Sequence, residues 1–222
     1  MSVFRKILCP RLSSTAVLLG IFAATAFGQP KPAPKTLFFD SDGNQVSNNE
    51  FVDIRMANSH YPDKTIVKTL ADGTVEFHLQ KIPQEGAAAP QFTVKTLDGK
   101  ILSSADLKGK VVVLSFWFIG CPACMEMEPQ LNAFKAKFAG NDDIVFLAMT
   151  ADPTPNVKKY LSKERFEYVQ AADAKAAMDS FVFAMYPKNI VIDRTGKIIY
   201  WRSTIKAWEK FESVVKRALE TN

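Results

Sequence analysis

Only three cysteines occur in the 222 residues, and histidine is scarcer still, with two. So few soft ligands leave little material for a metal centre, and so few cysteines exclude a fold stapled by several disulfides. Charge of one sign is also lacking: 28 Lys and Arg against 23 Asp and Glu give a formal net charge of +5. Three of the positive charges, Arg5, Lys6 and Arg11, stand ahead of an apolar run, and without them the chain carries +2. That is too little to argue for nucleic acid or an anionic membrane surface as a partner. The three tryptophans sit among apolar neighbours and read as core residues, not base-stacking platforms. No internal repeat is visible.

The apolar run itself, Thr15 to Phe27, falls short of the about 20 residues that a membrane span needs. With its basic flank, and with Ala26 and Gly28 as small residues before Gln29, residues 1–28 read as a secretory signal. An uncleaved N-terminal anchor is the alternative, and both place the rest of the chain outside the cytoplasm, in the periplasm. Cys9 precedes the apolar run instead of closing it, so it is not a lipidation site, and it leaves with the signal. What stays is one tight pair, Cys121 and Cys124, which in an export compartment points to redox chemistry.

Residues 29–35 (QPKPAPK) form a proline-rich, extended linker. Residues 36–86 read as a small β-rich module of unknown role. Val52, Ile54 and Met56 alternate, as do Val75, Phe77 and Leu79, with hairpin-turn signals at Asp42-Gly43 and Asp72-Gly73. From residue 87 to 222 strands and helices alternate. Val111 to Phe118 (VVVLSFWF) has the continuous apolar character of a strand buried on both faces. Pro122 to Phe138 carries Met127, Leu131, Phe134 and Phe138 at helical spacing, and Ile144 to Met149 is a second buried strand. Val157 to Lys163 and Lys175 to Val182 follow as helices. A hairpin of 189–192 and 197–201 and an amphipathic helix from Ile205 to Leu219 complete an α/β layer with a mixed sheet flanked by helices.

Cys121-Pro122-Ala123-Cys124 falls where a buried strand turns into a helix. Unpaired N–H groups and the positive end of the helix dipole stabilise a thiolate there. A thiol pKa of about 8.5 drops in such places to roughly 3.5–7.5. Cys121 is expected at the exposed first position and Cys124 one turn further in, as the resolving thiol. Pro122 suits the first helical position, where its missing N–H has no partner to lose. The cycle is attack by Cys121, a mixed disulfide, and release by Cys124. Half of a zinc site is the rival reading, but only His60 and His78 remain as soft ligands. A structural disulfide is another, yet so short a loop stabilises little.

Residues 89–129 carry Ala89-Pro90-x-Phe92, the turn Asp98-Gly99-Lys100, Leu107-Lys108-Gly109-Lys110, Phe116-Trp117, the Cys-x-x-Cys and Pro129. With Tyr186-Pro187-Lys188-Asn189-Ile190-Val191-Ile192-Asp193 and Gly196-Lys197, this resembles the TlpA/ResA type of thiol–disulfide oxidoreductase, over about Ala89 to Asn222. The resemblance implies a thioredoxin fold and an enzyme that acts on disulfide-containing protein substrates, in the reductase direction. It further implies a membrane-bound electron donor, no cofactor and no metal. It makes Pro187 cis and places it beside Cys121, with Tyr186, Pro187 and Pro122 in substrate contact. Trp117 is either a groove wall or a packing residue, with packing favoured.

Three departures from the type stand out. Gly120 replaces the usual tryptophan before the first cysteine, which loosens the rim. Ser115 takes the place of thioredoxin's buried aspartate. Met127 fills the place of a glutamate, and the flanking Glu126 and Glu128 read as solvated charges, so no proton acceptor for Cys124 is evident. Two other functions use the same cysteines. A peroxiredoxin needs a Pro-x-x-x-Thr type approach that Ile119-Gly120 does not provide. A copper-delivery protein needs wider cysteine spacing and a distal histidine, and none follows His78.

Overall fold

The computed structural model describes residues 33–57 and 65–221; the signal segment with Cys9, most of the linker, and His60 lie outside them. Short strands joined at Asp-Gly turns open the described chain: β1 (Thr36–Phe39), β2 (Gln45–Val46), β3 (Ile66–Thr69) and β4 (Val75–His78). They form a sheet in the order β2-β1-β4-β3. Gly43 at φ 84° and Gly73 at φ 89° take the left-handed backbone that both turns require.

The alternation of Val52, Ile54 and Met56 is not a strand: all three belong to helix α1 (Asn48–Met56). Ser47 explains the correction. Its hydroxyl accepts the Glu50 N–H at 3.1 Å, and Ser-x-x-Glu is the sequence signature of a capped helix start. The cap overrides a two-residue alternation that is only three residues deep.

Beyond a hairpin of β5 (Thr93–Lys95) and β6 (Ile101–Ser103), the chain runs β7 (Val111–Phe116), α2 (Pro122–Ala136), β8 (Ile144–Met149), α3 (Thr154–Leu161), β9 (Val169–Ala171) and α4 (Lys175–Asp179). β10 (Lys188–Ile192), β11 (Ile198–Arg202) and α5 (Trp208–Glu220) complete it. The central sheet has the order β11-β10-β7-β8-β9. β7, β8 and β9 are parallel, while β10 and β11 are each antiparallel to their neighbour. This is the thioredoxin arrangement that the resemblance implies.

Side chains of β7 alternate between two cores. Val111 and Val113 face the layer of α2, α3 and α5, and Val112, Leu114 and Phe116 face the other side with α4 and the N-terminal elements. The N-terminal elements belong to the same compact unit, Pro34–Asn222. Asp53 of α1, 1% exposed, accepts the N–H groups of Lys206 and Ala207 at 2.8 Å and the Thr204 hydroxyl at 3.1 Å. It thereby caps α5, whose own N-cap residue, Ala207, has no side chain to do so. Asp53→Ala leaves those half-buried donors without this partner, and caps of this kind contribute about 1–2 kcal/mol. Urea unfolding is expected to show that loss, and an unchanged midpoint would refute the capping role.

Candidate active site

The site begins where β7 stops. Trp117 N–H still donates to the Met149 carbonyl at 3.1 Å, and the chain then leaves the sheet. Ile119 N–H donates to Asp152 Oδ2 at 2.7 Å, and the Thr150 hydroxyl donates to the same oxygen at 2.7 Å. Asp152 thus anchors the loop that delivers the cysteines. Gly120 follows at φ 88°, a left-handed conformation that a larger residue adopts only with strain. The glycine is therefore what this turn needs, more than a gap in the rim.

Cys121 is the N-cap of α2, with extended backbone, and its Sγ accepts the Cys124 N–H at 3.1 Å. The two cysteines form a disulfide with Cα atoms 5.2 Å apart. The expected exposure of Cys121 is not found: it and Cys124 are each 3% exposed. In the disulfide form Cys121 Sγ is tied to Cys124 Sγ, and Ile119 and Tyr186 pack against the same cluster. Pro122 is exposed at the first helical position.

Tyr186 is half-buried, its ring edge-on to Phe118 at 5.1 Å and to Phe183 at 5.0 Å. The Tyr186–Pro187 bond is cis, and Pro187 itself is buried. Trp117 offers a substrate no surface: it is 1% exposed and packs on Tyr160 at 5.3 Å and Phe166 at 5.8 Å. The structure makes it the floor under the site, not a wall.

Glu128 departs from its sequence reading. It is 5% exposed, not a solvated charge, and the Tyr160 hydroxyl donates to its two oxygens at 3.1 and 3.0 Å. Burial pushes its pKa up to about 7, against the opposing Tyr160 hydrogen bond and with help from Glu164. It stands four positions after Cys124, so both lie on one face of α2, a turn apart. The signal was present: Cys124, Met127, Leu131 and Phe134 mark the buried stripe, and Glu128 falls inside it. Met127, in the usual glutamate's place, is buried with its sulfur accepting from Asn189 Nδ2 at 3.3 Å. Ser115 is buried within β7.

His78 lies elsewhere, in the N-terminal sheet, bonded to Glu76 at 2.9 Å and stacked on Phe39. Among the described residues no group of three or more His, Cys, Asp or Glu is placed to hold a metal ion. No described helix is long and apolar enough to cross a membrane.

Comparison with known proteins agrees with this geometry. The sequence profile of the Redoxin family matches residues 84–218, more than half of the chain. The thiol-disulfide oxidoreductase ResA of Bacillus thuringiensis is 27% identical over 163 residues, covering 69% of this chain and 94% of that protein. ResA of Bacillus cereus is 30% identical over 118 residues, covering 52% of this chain and 68% of that protein. Among solved structures, the thioredoxin domain of a thiol-disulfide oxidoreductase from Bacteroides vulgatus superposes with a TM-score of 0.53 at 26% identity, covering 59% of this chain and 97% of its own. A thioredoxin-family thiol:disulfide interchange protein from Chlorobium tepidum gives 0.52 at 26% identity, covering 63% and 99%. With its Cys-x-x-Cys capping a helix of a thioredoxin fold, the chain belongs to the Redoxin family, as a ResA-like thiol–disulfide oxidoreductase.

Proposed function

We propose that the protein is an exported reductase of protein disulfides. The observation that carries this reading is the hydrogen bond from Cys124 N–H to Cys121 Sγ at the N-terminus of α2. Once the disulfide is reduced, the same bond and the helix dipole favour the Cys121 thiolate. That thiolate attacks one sulfur of a substrate disulfide, which leaves the other substrate sulfur as a thiolate. Glu128, ionised above a pH of about 7, takes the proton of Cys124. The Cys124 thiolate then attacks Cys121 Sγ, forming the internal disulfide and releasing the second substrate sulfur. Two electrons pass to the substrate, and a membrane-bound donor returns them. Pro122, Tyr186 and Pro187 form the edge along which the substrate chain lies, while Trp117 supports it from below.

The basic flank and apolar run of residues 1–28 support export to the periplasm. Reductase direction is supported by the resemblance and by the absence of histidine between the cysteines. Equilibration of periplasmically isolated protein, its N-terminus at Gln29, against graded dithiothreitol buffers tests the reading. A Cys121–Cys124 potential near or below about −250 mV is expected. A value above about −150 mV reverses the direction, and the lack of any reversible two-electron transition overturns the enzyme.

A further inference from the structure

Lys188 is the first residue of β10 and directly follows Pro187, yet it is 1% exposed. Its ammonium donates to the Ala57 carbonyl at 2.7 Å and to the Ser203 hydroxyl at 2.8 Å, and it stands over the Trp201 ring at 5.1 Å. Both hydrogen-bond acceptors are neutral. Burying an ammonium against neutral partners is expensive, and an apolar residue of similar length fits such a place more cheaply. Burial also pulls the Lys188 pKa down to about 7, with Arg202 adding to the effect. A stability liability of this kind belongs where something other than stability is served.

Its position identifies what that is. Lys188 pairs with Phe116 across the β10–β7 ladder, so it stands where both strands release their loops. From Phe116 the chain runs to Cys121, and from Lys188 it runs back through Pro187 to Tyr186, whose ring meets Phe118. Ala57 closes helix α1, and α1 is fixed to the rest of the fold by Asp53 on the N-terminus of α5. A chain of contacts therefore leads from the N-terminal module, through one carbonyl and one lysine, to the rim of the disulfide.

We propose that Lys188 is a positioning residue through which the N-terminal module fixes the Tyr186–Pro187 edge against which a substrate polypeptide docks. The inference rests on the reading that this edge receives protein substrates. The module is then a built-in brace for the groove, and its effect falls on large disulfide substrates and not on small ones.

Lys188→Met keeps the length and the apolar stem and removes both hydrogen bonds. The test follows oxidation of the fully reduced protein by stopped flow, once with insulin and once with the small hydroxyethyl disulfide. In both reactions the Cys121–Cys124 dithiol gives two electrons to the other disulfide. Half-saturation with insulin is expected to rise about tenfold, a modest share of what misplacement by an ångström does. The limiting rate and the hydroxyethyl disulfide reaction are expected to stay within about twofold of the parent. Equal insulin binding by variant and parent overturns the inference, and so does equal slowing with both disulfides. A parent that oxidises with hydroxyethyl disulfide but not with insulin overturns the function proposed above instead. If Lys188→Met fails to fold, Ser203→Ala removes one of the two acceptors. It is expected to raise half-saturation with insulin about two- to threefold, and no change in that variant also overturns the inference.

Discussion

Cys124→Ser is expected to hold a mixed disulfide between Cys121 and a substrate sulfur, while turnover falls by about 10³-fold or more, the scale on which loss of a nucleophile acts. The order of events rests on geometry and not on exposure, because the two cysteines are equally covered in the disulfide form, at 3% each. Cys121 is the N-cap and receives the Cys124 N–H on its sulfur, whereas Cys124 lies inside the first turn of α2. A thiolate at the cap gains from the unpaired N–H groups and the dipole, and the gain fades within that first turn. In the proposed cycle this makes Cys121 the sulfur that attacks and Cys124 the one that resolves. Cys121→Ser loses turnover to the same degree but accumulates no covalent complex. Non-reducing mass spectrometry separates the two variants. Adducts on Cys121→Ser, or equal trapping by both, would refute the assigned order.

Much of this site is legible in the residues because its signals are local. The apolar run of β7, the Cys-Pro-Ala-Cys segment and the stripe on α2 all lie within about two dozen positions, and their spacing carries their meaning. Strand β8 is legible with its observed bounds, Ile144–Met149, for the same reason. What escapes depends on contacts that close over long stretches of chain. Asp53 caps a helix that starts some 150 residues later, and nothing near it in sequence announces that. Lys188 heads an apolar strand, and its acceptor, Ala57, is 131 residues away. Strand β9 has three residues, one of them the exposed Val169, too short to set a period. Helix α1 escapes for a different reason: its start signal, Ser47-x-x-Glu50, is present, but the alternation at Val52, Ile54 and Met56 competes with it.

These long-range contacts also place the N-terminal elements in the working structure. Residues 36–86 meet the thioredoxin part through Asp53 at α5, through the Arg202–Glu85 ion pair at β11 and through Lys188 at β10. Arg202 ends β11 and pairs with Asn189, next to Lys188 at the start of β10, so two of those three points lie at the end of the sheet where the Tyr186–Pro187 loop enters β10. Val46, Ile54 and Leu79 of the same N-terminal part also share a core with Val112, Leu114 and Phe116 of β7, while Asp152 anchors the loop that carries the cysteines.

Glu128→Gln is expected to slow the resolving step by about 10²-fold, the lower end of what a positioned proton acceptor contributes. In the parent, the rate of internal disulfide formation rises with pH through about 7, where Glu128 ionises. In the variant that limb is expected to move to higher pH, because no carboxylate then takes the Cys124 proton. Stability moves the other way. The folded-state pKa of Glu128 is raised above its ordinary value of 4.5, so the unfolded chain ionises first as pH rises. The parent therefore loses stability between about pH 4.5 and 7 and recovers none above it. Glutamine carries no charge to bury and still accepts from Tyr160, so the variant is expected to match the parent at pH 4 and exceed it at pH 8. At about 1.4 kcal/mol per pH unit across that window, less what nearby water offsets, the difference is about 2–3 kcal/mol. A slower, more stable variant with a displaced pH limb identifies Glu128 as the proton acceptor that Ser115 and Met127 do not supply. If denaturant midpoints and rate profiles of parent and variant coincide across pH 4 to 8, the carboxyl has no part in the cycle.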